Sequence, residues 1–288
     1  MATTRPRGFI TWEPRYETWR LIVSINDVLD EYSEQLPLTI RQIFYRLVAE
    51  YEYEKTEKAY NRLTEIISKA RRAKLIDMDC IRDDGFFLST TQSFTTTQSV
   101  MDSYRDHAAT VRMDRQAGQE RRLMVWCEAQ GMKPMLEGVA TDYGVAVASS
   151  GGFDSLTTKH NMAKAFAGNG STEVLHIGDY DPSGVHMFSS LDEDVKSFIS
   201  HMGGQVEFTR LAVTPDQRDE FNLPTAPPKT TDRRKFEDHQ TVQCEALAPD
   251  VLLGLVNSAI TDRLDMNIYQ NILDQEKTLR SQLEMILR

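Results

Sequence analysis

The chain has 288 residues, 40% of them hydrophobic, enough to bury one large core or two moderate ones, and two domains are expected. Its formal net charge of -10 excludes a protein that coats nucleic acid indiscriminately, although positive charge can still be gathered locally. Cys80, Cys127 and Cys244 are too widely separated for a zinc-binding pair, the first residues lack the apolar run of a signal peptide, and no stretch of about 18 apolar residues occurs; a reduced, cytoplasmic protein without membrane contact is expected.

Between residues 14 and 32, YETWRLIVSINDVLDEY repeats apolar residues at helical spacing, and Leu36-Pro37-Leu38 interrupts it. The next segment, TIRQIFYRLVAEY, predicts a helix capped by Thr39 with Ile40, Ile43, Phe44 and Leu47 on one face. A third helix, predicted over 60–74 in YNRLTEIISKARRAK, ends in the cations Lys69, Arg71, Arg72 and Lys74. LIDMDCIRDDGFFLS then offers two short strands around the turn Asp83-Asp84-Gly85, with TTQSFTTTQS as a loop beyond them. Helices followed by short strands give a winged-helix outline. SVMDSYRDHAATVRMDRQ returns to helical spacing, and the change of character near residues 115 to 120 places a boundary between domains 1–115 and 116–288.

From there apolar and helical segments alternate: LMVWC, MKPMLEGVATD, GVAVAS, GFDSLTTKHNMAKAFAG, EVLHI, GVHMFSSLDEDVKSFIS. That alternation predicts an α/β domain with a parallel sheet covered by helices on both faces. After QVEFTRLAV and the Pro-rich NLPTAPPKTTD, two helical segments close the sequence.

Ligands of open parallel sheets collect beyond the carboxyl ends of the strands. Glu128 follows LMVWC there, and Asp179 and Asp181 follow EVLHI in HIGDYDPSG. Alternate residues of an extended segment point the same way, so Asp179 and Asp181 can face a common point and Glu128 can join them from a neighbouring strand. Hard oxygen ligands suit Mg²⁺, with Mn²⁺ as a substitute. An Asp-x-Asp-Pro-Ser-Gly segment can equally be a hydrogen-bonded turn.

A strand ending in Glu and a later one ending in Asp-x-Asp resemble the Toprim domain, the Mg²⁺-binding module of type II topoisomerases, primases and certain nucleases. SSGGFDSL matches its Gly-containing turn. Ala129 stands where many relatives carry Lys after the Glu.

TIRQIFYRL in turn resembles the Arg-Asp-Ile-(Phe/Tyr)-Tyr motif of the topoisomerase VI A subunit and the related meiotic double-strand-break protein, with Gln42 in place of the Asp. The resemblance implies a winged-helix domain followed by a Rossmann-like Toprim domain, a nucleophile at Tyr45 and the motif's arginine at Arg41. On a helix these two are i and i+4 neighbours, so the guanidinium can reach the phenol and favour its ionised form. It further implies a homodimer with composite sites acting on double-stranded DNA, with metal at Glu128, Asp179 and Asp181 and Glu128 available for acid/base work.

Lys69, Arg71, Arg72 and Lys74 fall where a recognition helix would meet DNA, and equally suit a solvated helix end. Lys229, Arg233, Arg234 and Lys235 form a second cluster that resembles a Lys-x-x-Asp-Arg stretch of short relatives. Glu245, in VQCEALAPD, either approaches the metal site or caps a helix, with the structural reading preferred, and none of the six histidines pairs at ligand spacing. No GxxxxGK[ST] loop occurs, so ATP-driven strand passage would need a separate ATPase subunit. Two further activities suit the sequence: a metal-dependent Toprim endonuclease that leaves Tyr45 idle, and a non-enzymatic DNA-binding module.

Overall fold

The structure is a computed structural model that describes residues 8–82, 91–149, 156–230, 232 and 234–288. Helix α1 (Tyr16–Glu31) buries Ile22, Ile25, Val28 and Leu29, the stripe its spacing predicts. Helix α2 (Ile40–Glu50) opens on a capping box: the Gln42 amide donates to Thr39 Oγ1 at 3.1 Å, and the Thr39 amide donates to Gln42 Oε1 at 2.9 Å. Gln42 therefore has a local structural task at the position where the resembling motif carries Asp. Helix α3 (Glu57–Arg72), capped by Thr56, buries Leu63, Ile66, Ile67 and Ala70 against the first two.

After α3 the chain returns to form a single parallel bridge between Leu38 and Ile81. The expected turn Asp83-Asp84-Gly85 lies outside the described residues. Helix α4 (Thr97–Thr110) ends earlier than the periodicity of SVMDSYRDHAATVRMDRQ predicts. Tertiary polar contacts hold the segment beyond it: Arg115 Nη2 meets Glu276 Oε1 at 2.7 Å, and the Gln116 side chain donates to the carbonyls of Leu123 and Gly144.

The alternating segments become β1 (Arg122–Cys127), α5 (Lys133–Ala140), β2 (Ala146–Ser149), α6 (Leu156–Ala167), β3 (Ser171–Ile177), α7 (Pro182–Met202), β4 (Gln205–Ala212) and the short α8 (Pro215–Glu220). Helices α9 (Pro249–Thr261) and α10 (Met266–Ile286) follow. The four strands are all parallel in the order β2-β1-β3-β4, with Val125 opposite both Val147 and Leu175. Residues 150–155, with most of SSGGFDSL, lie outside the described residues.

Helices cover both faces, as the alternation predicts. On one face Trp126, Val174 and Phe208 meet Phe166 of α6 and Leu191, Val195 and Ile199 of α7. On the other, Val125, Cys127, Leu175 and Ile177 belong with Leu136 of α5 and Leu252, Val256 and Ile260 of α9. That second cluster continues without a break through Leu247 to Leu47 and Ile22, so α1–α3 and the sheet share one apolar core. Burial from both sides makes β3 inaccessible from Thr172 to Ile177, the usual state of a central parallel strand. Its one buried acid, Glu173, is met by Arg263 at 2.8 Å, Thr209 at 2.8 Å and Arg121 at 3.2 Å.

Candidate acidic site and tyrosine pocket

The carboxyl ends of β1 and β3 lie side by side, joined by the Glu128 amide donating to Ile177 O at 2.9 Å. Gly178 follows β3, and a Cβ there would stand 2.4 Å from Glu128 Cδ. The missing side chain lets the Glu128 carboxylate fold over the end of β3, where its Oε2 accepts the Asp179 amide at 3.3 Å. Glu128 Oε1 is buried in a geometry that makes no hydrogen bond, 3.1 Å from His176 Nε2.

Asp179 is held from the opposite side by a distant segment. Its Oδ1 accepts the Cys244 amide at 2.8 Å, and donor atoms of Asp179, Cys244 and Glu245 lie within 4.8 Å of one another. Beneath them Arg210 of β4 donates to the carbonyls of Gly178, at 3.1 Å, and Asp179. The result is a cavity of about 380 Å³ walled by Arg41, Glu128, Asp179, Met187 and Glu245. Burial, reinforced by the charge of Glu245, pushes the Asp179 carboxyl up to about 7.

Asp179 and Glu245 have donor oxygens within 4.8 Å of each other and Glu128 lines the same cavity, so the oxygen donors gathered there fit a hard divalent cation such as Mg²⁺ or Mn²⁺. The Cys244 thiol is a soft donor and already contacts Glu245 at 3.6 Å and Met132 sulfur at 3.7 Å. Glu128, Asp179 and Glu245 are thus the residues that would hold the ion.

Asp181, expected beside Asp179, occupies a different place. It is the N-cap of α7, with Oδ1 accepting the Gly184 amide at 2.7 Å, and it faces a second cavity of about 150 Å³. The reason is local: the Tyr180 backbone pairs with Val242, and helix α7 starts at Pro182, so the chain turns before the alternation of an extended strand can act. The turn anticipated for Asp-x-Asp-Pro-Ser-Gly is the geometry found at Asp181. Glu245 walls the acidic cavity, the first of the two roles left open for it, rather than the structural role preferred from the sequence.

Tyr45 opens onto the second cavity, shared with Lys55, Asp181, Lys229 and Gln243. It is only 4% exposed, its hydroxyl donates to Gln243 Oε1, and Lys55 Nζ lies 5.5 Å from the centre of its ring. Arg41, one turn earlier on α2, reaches the acidic cavity and stands 3.7 Å from Glu245 Oε1. The expected partnership of Arg41 with the Tyr45 hydroxyl is replaced by these two contacts, because Gln243 and Glu245 approach α2 from one short segment. Burial, and then the Glu245 charge, push the Tyr45 phenol above its ordinary range; Arg41 offsets part of this.

Of the basic cluster, Arg71 donates to the carbonyls of Met78 and Ile81, Arg72 to that of Gly8 at 2.9 Å, and Lys74 lies over the Phe9 ring at 4.9 Å. Lys69 is exposed. In the second cluster Arg234 pairs with Asp232 at 2.9 Å, and Arg233 lies outside the described residues. Lys55, Gln243 and Arg210 carried no signal in the sequence, since each reaches its cavity through tertiary contacts alone. Among the described residues no helix is long and apolar enough to cross a membrane. No family model, curated protein or solved structure matches this chain.

Proposed function

We propose that the protein is a type IIB topoisomerase-like DNA transesterase, built as a winged-helix domain followed by a Toprim domain. One observation carries this reading: the segment Gln243–Glu245 binds Tyr45 on one side and completes the Asp179 carboxylate cluster on the other, so a phenol and a cation-binding site share a wall. In the proposed reaction the Tyr45 oxygen forms a bond to a backbone phosphorus while the bond from phosphorus to the 3′-oxygen breaks. The phenolic proton leaves to solvent, and the 3′-oxygen takes up a proton, giving a 5′-phosphotyrosyl link and a free 3′-hydroxyl. Arg41 balances negative charge at the boundary of the two cavities, and Glu128 serves proton transfer at the leaving oxygen. A bound divalent cation would supply charge neutralisation for the phosphate.

In place of the composite sites the resemblance implies, this reading takes Tyr45 and the carboxylates of each site from one chain; double-stranded DNA is the substrate, cleavage of both strands calls for a homodimer, and strand passage with ATP calls for a separate ATPase subunit. The test is incubation with supercoiled plasmid and Mg²⁺, quenching with detergent, and protease treatment before electrophoresis. Linear DNA that appears only after denaturation, carries attached protein and is lost in Tyr45→Phe is the expected result. A metal-dependent endonuclease is the second reading, favoured by the near-complete burial of Tyr45. It predicts protein-free ends and full cleavage by Tyr45→Phe.

A further inference from the structure

The small cavity beside Tyr45 contains a cation that the reaction above does not use. Lys55 follows α2 and turns back over the Tyr45 ring, with Nζ at 5.5 Å from the ring centre and donating to Pro224 O at 2.6 Å. Among the described residues it forms no ion pair, although it is half-buried. An ammonium withdrawn from water without a carboxylate partner is costly, and an anion received beside it would offset that cost. Burial lowers its pKa to about 8, in keeping with a charge that lacks a partner in the free protein.

The remaining charges around the cavity are mostly committed. Asp181 spends one oxygen on the Gly184 amide, and Asp232 is paired with Arg234 at 2.9 Å. Lys229 is exposed at the rim. The cavity, about 150 Å³, is too small for a base pair and of a size to take a single phosphate group.

We propose that this cavity is the seat of the DNA phosphate that Tyr45 attacks, with Lys55 as the residue that binds its non-bridging oxygen and Lys229 as the cation that guides it in. The proposal rests on the transesterase reading and assigns the phosphate to the Lys55 side of Gln243, with its 3′-oxygen toward the wall shared with the carboxylate cavity. With one ammonium donor on Pro224 O, the remaining two are available to a phosphate oxygen, and the position over the Tyr45 ring keeps that positive charge on the tyrosine side of the cavity.

The test measures binding of a fluorescent duplex to the full chain over a range of salt concentrations, followed by trapping of covalent adducts with Mg²⁺, for wild type, Lys55→Met, Lys55→Arg and Lys229→Met. Lys55→Met is expected to lower the slope of log affinity against log salt by about 1, the signature of one lost phosphate contact. Its adduct yield should fall roughly 100-fold, and Lys55→Arg should restore the slope. A Lys55→Met protein that melts at the wild-type temperature with an unchanged slope and full adduct yield overturns the phosphate seat and leaves the transesterase reading standing. A lowered slope with no adduct from wild type overturns the transesterase reading, and with it the attack by Tyr45, while keeping Lys55 as a phosphate contact. If Lys55→Met does not fold, Lys229→Met decides, because its side chain is exposed: an unchanged slope in that variant, or no binding of duplex by wild type, overturns the assignment.

Discussion

Arg41 and Glu245 stand 3.7 Å apart across the rim of the acidic cavity, tying the helix that bears Tyr45 to the segment that completes the carboxylate cluster. Arg41 is half exposed there while the Glu245 side chain is 9% exposed, so the pair joins a solvent-facing cation to a sheltered acid. Removing the cation leaves Glu245 and Asp179 to repel each other unrelieved. Arg41→Ala is therefore expected to reduce covalent adduct formation by about 100-fold and, in the same protein, to tighten divalent-ion binding modestly, as titration with Mn²⁺ would read.

Asp179 provides a pH test. Its folded-state pKa of about 7 is raised above the ordinary carboxylate value, so the folded protein holds a proton that the unfolded chain has released. Its contribution to stability is present at low pH and is lost as pH rises from about 4 through about 7. Melting temperature in the absence of divalent ions should decline across that window relative to Asp179→Asn. Added Mg²⁺ should restore it near neutral pH, since the ion binds only the ionised cluster.

Gly178 is the hinge point of the acidic site. A Cβ at this position would lie 2.4 Å from Glu128 Cδ, well inside contact distance, so Gly178→Ala must displace the carboxylate or the strand end. Expected outcomes are a loss of about 1–3 kcal/mol in denaturant unfolding and weakened Mn²⁺ binding. A variant with wild-type stability and ion affinity would show that Glu128 does not need its present position.

Tyr45→Phe separates stability from chemistry. It deletes the hydroxyl that donates to Gln243 and leaves the ring contacts with Phe44 and Lys55 in place. Unfolding should become easier by about 1 kcal/mol, while protein-linked DNA ends should vanish entirely. Retained linkage would move the nucleophile elsewhere.

The basic end of α3 divides in two. Arg71 and Arg72 are engaged with backbone carbonyls, so alanine at either should cost about 1–2 kcal/mol of stability. Lys69 is exposed, and Lys69→Ala should leave the melting temperature unchanged while lowering the salt slope of duplex binding by about 1.

What the sequence determined by itself was the architecture that short-range pattern encodes. Period-2 and near-continuous apolar runs alternating with helical stripes are local signals, and they specified the parallel sheet, the helices on both its faces and the capped helix that carries Tyr45. Position at a strand end likewise placed Glu128 and Asp179 together, because neighbouring parallel strands bring their carboxyl ends to one edge. Tertiary structure alone decided the third carboxylate. Asp181 was claimed by the cap of α7, and Glu245 arrived from a segment far along the chain whose approach depends on the Asp179 bond to the Cys244 amide and on Arg46 donating to Ala246 O. The same long-range segment turned Tyr45 toward Gln243 and Arg41 toward Glu245. Helical spacing sets which side chains are neighbours on α2, but the partner each one takes depends on the surface packed against that helix, which no local pattern records.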